Sequence, residues 1–198
     1  MSFTVQRKAA RYEDVLSAPE HLVAEILDGE LFTSPRPAVR HARAASILGA
    51  DLVSQFDGPG GEGESPGGLW FLYEPELHFD DDVVVPDIAG WRRECVPELP
   101  DVAWFDVAPD WLCEVISPST ESIDRGRKLR IYAREGVSHV WLLNPVVKLL
   151  EVYRLTEGNW ILVKTAVGDD AVRAEPFDAI EMEMSRWWLP EALPSSEA

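Results

Sequence analysis

Cysteine is nearly absent: Cys95 and Cys113 are the only two in 198 residues. Two thiols cannot build a disulfide framework or a four-cysteine zinc site, so one buried and one free thiol are expected. Long apolar runs are missing too, and no stretch approaches the length of a membrane span. Met1 to Lys8 leads into charged residues rather than an apolar signal core, so a reducing cytoplasm is the expected compartment. Histidine is sparse, and His21, His41, His78 and His139 have no ligand spacing that would suit zinc. Positive charge is scarcest of all. Eighteen basic residues stand against 35 acidic ones, a formal net charge of −17. That balance opposes non-specific attraction to nucleic acid or to an anionic membrane. Any polyanion partner must be met by a local basic patch or a bound cation.

What is present describes an ordinary globular chain, 46% hydrophobic and 27% charged. A chain of this length can bury roughly 70% of its unfolded surface. No repeat and no linker divides it, so a single domain over residues 1–198 is expected. Tyr12 to Leu27 carries apolar residues at roughly helical spacing and predicts one or two short helices, followed by a strand at residues 30–33. Ala38 to Phe56 predicts a helix with Ala42, Ala45, Leu48, Leu52 and Phe56 along one side. Residues 57–68 hold six of the 13 glycines and two prolines, which predicts a loop long enough to be either functional or simply mobile.

Strands are expected at 69–73, 76–79 and 83–85, the last running through Pro86-Asp87 into 88–91. An apolar strand at 111–116 precedes Ser117-Pro118-Ser119-Thr120, whose hydroxyls suit helix capping. A helix from about Glu121 to Glu135 ends at Gly136. Strands at 137–144, 149–155 and 160–165 follow, and the segment after 168 is expected to pack back as an edge. The order predicts an α/β or α+β fold, a mixed sheet with a crossover through the helix at 121–135.

Glu114 interrupts a run that otherwise reads as a buried strand. An ionised carboxylate there is costly without a cation, an arginine or several donors. A buried Glu–Arg pair or a place at the sheet edge would satisfy it; so would a metal, given a second carboxylate. Asp87, beside the bend that Pro86 imposes, is the obvious second, unless Pro86-Asp87 is simply a solvated turn. The following helix holds five of the 18 basic residues within ten positions. Arg127, Arg130 and Arg134 share one stripe, which reads either as a solvated face or as a nucleic-acid contact, while Lys128 projects elsewhere, one turn from both Asp124 and Tyr132.

Pro86-Asp87, the run Asp110 to Thr120, Asp124-Arg125-Gly126-Arg127-Lys128, Tyr132-Ala133, Gly136-Val137 and Trp141 to Pro145 closely resemble the Uma-two family of restriction endonucleases, within the PD-(D/E)XK nuclease superfamily. Glu25 to Leu31 and His41 resemble its opening segment, so the similarity spans roughly residues 10–165. The resemblance implies a restriction-endonuclease-like fold, a central mixed sheet flanked by helices. It also implies Asp87 and Glu114 as metal ligands.

The superfamily pattern places a lysine two residues after the glutamate, where this chain has Ile116. A lysine on the next helix maps to Lys128. Glu25 resembles the superfamily's helical carboxylate that assists a metal or its waters. The expected cofactor is Mg²⁺, with Mn²⁺ as a substitute, held by Asp87, Glu114 and the Val115 carbonyl. Hydrolysis of a phosphodiester suits a hard cation on oxygen ligands, which neutralises phosphate and lowers the pKa of a water. Arg127, Arg130, Arg134 and His41 are the expected nucleic-acid contacts. The expected partners are a nucleic acid, DNA before RNA, and a second copy of the chain, with no membrane among them. The rival expectation is a nuclease-fold binding module of a mobile-element or defence system, weak or inactive in catalysis.

Overall fold

The computed structural model describes residues 9–58 and 66–190. The chain runs α1 (Tyr12–Leu16), β1 (Leu22–Leu27), β2 (Glu30–Pro35), α2 (Val39–Phe56), β3 (Leu69–Tyr73), β4 (Leu77–Phe79), β5 (Asp82–Val84), β6 (Ile88–Arg92) and β7 (Trp111–Val115). A helical segment follows, made of α3 (Glu121–Ile123), a π-helical turn (Asp124–Lys128) and α4 (Leu129–Arg134). Then come β8 (His139–Asn144), β9 (Leu149–Thr156), β10 (Asn159–Val167), β11 (Ala171–Val172), β12 (Met182–Glu183) and a 3-10 turn (Met184–Arg186). No described helix is long and apolar enough to cross a membrane.

A mixed six-stranded sheet of order β10-β9-β8-β7-β6-β3 forms the centre, and a four-stranded sheet of order β2-β1-β5-β4 lies alongside. In the central sheet β7 and β8 pair in parallel. Parallel neighbours need a long crossover, and the helical segment from Glu121 to Arg134 supplies it. Every residue of β7 is buried, because both faces are covered. Trp111, Cys113 and Val115 pack with α2, whose Ala44, Leu48, Leu52 and Phe56 recur every fourth residue. Leu112 and Ile116 pack on the other side with Ile131 and Tyr132 of α4. Strand alternation puts Glu114 on that second side. Cys113 is the buried thiol and Cys95 the exposed one.

Two expectations about local structure are corrected. Residues Leu22–Leu27 form a strand rather than a helix, pairing with β2 over six residues. Their apolar run is compatible with either period, and the complementary strand across the Asp28-Gly29 turn decides it; both turn residues take the positive φ that the tight hairpin requires, 54° and 76°. The segment after 168 does not add an edge to the central sheet. It forms its own two-stranded β11–β12 ladder and lays Phe177 against Phe56, Phe71, Trp111 and Trp141. An edge position could not have buried the two tryptophan faces that this cover removes from water. Trp187 then ties the cover to α2, its indole N–H donating to Asp51 Oδ2 at 3.0 Å. The loop expected at 57–68 falls largely on residues 59–65, which lie outside the described residues.

Candidate functional site

Asp87 sits where the chain leaves one sheet for the other. β5 ends at Val84 and β6 begins at Ile88, and Pro86 between them has no N–H to give a ladder. The register pairs Ile88 with Cys113, so one residue back Asp87 comes opposite Glu114 and faces the same side. Its carboxylate is held firmly: the Val115 N–H donates to Oδ2 at 2.7 Å, and His41 Nε2 lies 3.3 Å from Oδ1.

Glu114 is 2% exposed. Lys128 Nζ stands 2.8 Å from its Oε1, and the Tyr132 hydroxyl donates to that same oxygen, so Oε2 carries neither contact. Lys128 Nζ also reaches Glu25 Oε1 at 3.0 Å, the Val85 carbonyl at 3.2 Å and Asp124 Oδ1 at 4.0 Å. Glu25 Oε1 in turn accepts the Val85 N–H at 2.8 Å, which fixes β1 against the Val85-Pro86-Asp87 crossover. Asp124 and Lys128 bound the π-helical turn, a local widening of the helix that recurs at functional sites.

These groups line one cleft of about 250 Å³. It brings together Asp87, Glu114, Val115, Lys128, Glu25 and His41, with Asp124 and the lip residues Ser117, Ser119 and Thr120. Glu25 reaches it from a strand, β1, and not from a helix as the resemblance implied. The lip hydroxyls do not cap α3, which has no side-chain cap. Ser117 instead bonds to Ser119 and Thr120, each at 3.0 Å.

Negative charge is in surplus here. Burial pushes the Glu114 carboxyl well above the ordinary carboxylate range; Lys128 pulls it back only in part, and Asp124, Asp87 and Glu25 push the same way as burial. Burial likewise lifts Asp124 to about 6, against the pull of Lys128 and the Thr120 hydroxyl. Burial by itself lowers the Lys128 pKa, yet Glu114 and Glu25 outweigh it and hold the ammonium charged well beyond its usual range. For His41 burial also opposes charge, and the Asp87 hydrogen bond, the charges of Asp87 and Asp124 and the Val115 carbonyl overcome it, raising the imidazole. His41 Nδ1 is buried with no hydrogen-bond partner.

Asp87 and Glu114 thus place two carboxylates, both hard-oxygen donors, in a pocket short of positive charge. That matches a cation such as Mg²⁺, which keeps several waters and needs only one or two carboxylates. Among the described residues no group of three or more His, Cys, Asp or Glu is placed to hold a metal ion, so a cation here would rest on these two carboxylates and on water.

The arginine stripe lies elsewhere. Arg127 pairs with Glu30 at 2.9 Å and lies over the Phe32 ring, Arg130 pairs with Asp28 at 2.9 Å, and Arg134 pairs with Asp82 at 2.8 Å. None lines the cleft. Together they clamp the β1–β2 turn and β5 to the helix that carries Lys128. Arg134 is 47% exposed while Asp82 is nearly buried, so Arg134→Ala should lower stability by about 1 kcal/mol. A urea midpoint that does not move would show that the clamp contributes nothing.

Two members of the cluster, Asp124 and Tyr132, were not among the expected site residues. The signal was present in the four-residue spacing that sets both on the Lys128 face of the helix.

Comparison with known proteins places this architecture. Over 90% of the chain and 97% of its counterpart, at 20% identity and a TM-score of 0.69, it matches the crystal structure of "a putative nuclease belonging to DUF820" from Anabaena variabilis. The fold is restriction-endonuclease-like, a mixed α+β architecture around a central mixed sheet. An uncharacterized protein of Synechocystis sp., slr1290, is 24% identical over 147 residues, 73% of each chain. The model of the Uma2 family, described as "Putative restriction endonuclease", matches residues 9–185, and the chain belongs to that family.

Proposed function

We propose that this protein is a divalent-cation-dependent endonuclease that hydrolyses phosphodiester bonds in DNA. The observation that carries the reading is the convergence of Asp87, Glu114 and Lys128 from a sheet crossover, a central strand and a helix onto one cleft. Asp87, Glu114 and the Val115 carbonyl would hold Mg²⁺ or Mn²⁺. Such an ion, when bound, neutralises phosphate charge and lowers the pKa of a water.

The chain's own residues do the rest. The Val115 N–H and His41 hold the Asp87 carboxylate in place, so that it need not reorganise when a substrate arrives. Tyr132 and Lys128 fix Glu114 through Oε1. Lys128, charged and anchored by Glu25 and the Val85 carbonyl, orients the attacking water or takes up the negative charge that develops on the phosphoryl oxygens.

Supercoiled plasmid at low salt tests the reading. Nicking in Mg²⁺ or Mn²⁺, abolished by EDTA, is the expected result. Wild-type protein that cleaves neither DNA nor RNA with either metal, while still binding a nucleic acid, would overturn it in favour of a binding module.

A further inference from the structure

The endonuclease reading leaves a physical problem. A chain of net charge −17 must hold a polyanion, and the arginines of the helix after β7 are already neutralised by Asp28, Glu30 and Asp82. We propose that Arg40 and Arg43, on the first turns of α2, bind the phosphate backbone of DNA as it passes out of the cleft, with Arg36 at the lip as a third contact. The proposal rests on the endonuclease reading and assigns its substrate-holding surface.

Both arginines are exposed. Arg40 makes only a 3.5 Å contact to the Pro145 carbonyl, and Arg43 only a 3.3 Å contact to the Arg186 carbonyl. Neither has a carboxylate partner among the described residues, unlike Arg127, Arg130 and Arg134. Contacts to neutral carbonyls at the outer limit of hydrogen-bond length are readily exchanged for charge-assisted bonds to phosphate oxygens. Arg40 and Arg43 are three residues apart on one helix, so they project from neighbouring positions on the same side. Arg36 is held by a 3.4 Å contact to Glu74, with both side chains more than 40% exposed, and by a 3.3 Å contact to the Glu20 carbonyl.

The location joins this surface to the cleft. Pro37, Ala38 and His41, around the start of α2, line the cleft together with Arg36. Pro145 follows the end of β8, and Leu143 of that strand pairs with Val115 of β7. Arg40 therefore lies by the C-terminal ends of β7 and β8, the end of the sheet at which Glu114 and Val115 reach the site. The 18-residue α2 has no side-chain cap at Ala38, so its first N–H groups add favourable potential for an anion.

Binding of a short DNA duplex in EDTA, followed by fluorescence anisotropy from about 50 to about 200 mM salt, separates the outcomes. Wild type should bind with a strong salt dependence. Arg40→Ala/Arg43→Ala should bind more weakly, with the slope of log K against log salt shallower by about 2, one lost phosphate contact for each arginine. Arg40→Lys/Arg43→Lys should keep the wild-type slope, because each lysine keeps the charge; this pair also shows that a loss in the alanine variant is not a failure to fold. Arg127→Ala/Arg130→Ala/Arg134→Ala should leave the slope unchanged. An unchanged slope in the Arg40/Arg43 alanine variant, or a fall in the triple variant instead, overturns the inference and leaves the endonuclease reading intact. Wild type that binds no DNA and nicks none removes both.

Discussion

Glu114→Gln and Asp87→Asn should each reduce metal-dependent nicking by at least about 100-fold, the equivalent of about 3 kcal/mol of transition-state stabilisation. Each change keeps the shape of the side chain and removes one of the two charged oxygens proposed to hold the cation. Glu114 already sits among Glu25, Asp87 and Asp124 with only Lys128 against it. Losing a negative charge there therefore relieves repulsion in the apoprotein. The same variants should bind DNA in EDTA at least as well as wild type, since each removes a charge that repels phosphate. Calorimetric titration with Mn²⁺ should show one site in wild type and loss of that site in either variant. Nicking that survives both substitutions would place the chemistry elsewhere.

Lys128→Met should lower stability by about 3–5 kcal/mol, because it strands Glu114 and Glu25 in the interior without their cation. Methionine replaces the stem of the lysine well, so the loss reads the charge rather than a cavity. The sign with pH is definite. The folded protein raises the Lys128 pKa, so its stabilising contribution is complete below the ordinary lysine value and is lost only as alkaline pH passes through the folded one. Urea unfolding at pH 7 therefore reads the whole effect. Lys128→Met/Glu114→Gln should recover part of it, since removing both partners of a buried pair is far less harmful than removing one. Nicking by Lys128→Met should fall steeply while Mn²⁺ still binds, because the variant removes a neighbouring positive charge from the metal site. A Lys128→Met protein as stable and as active as wild type would remove Lys128 from both roles.

Much of the site could be read in the chain because it is local. Pro86 next to Asp87 marks a bend, Glu114 breaks an apolar strand, and Lys128 falls one turn from both Asp124 and Tyr132 on the helix that follows. These are properties of neighbouring residues, and strand alternation or helix periodicity turns them directly into direction. The Uma2 resemblance then connected the pieces across the gaps between them. Where the local pattern was ambiguous, as at Leu22–Leu27, the chain alone could not choose between periods.

What the sequence alone determined is the inventory and the local aim: the two carboxylates, the lysine one turn from both Asp124 and Tyr132, the central β7 strand and the crossover helix. The tertiary structure decided which charges remain unspent. Arg127, Arg130 and Arg134 look like a basic stripe in one dimension, yet they close ion pairs with Asp28, Glu30 and Asp82. Arg40 and Arg43, unremarkable in sequence, are left facing only carbonyls. Glu25 enters the cleft because β1 packs against the crossover at Val85, and Phe177 becomes core because α2 leaves a wall of aromatic side chains to cover. Each of these pairings joins residues far apart in the chain. Electrostatic and packing energies depend on separation in space, and a linear sequence carries that separation only within a turn of helix or a step of strand.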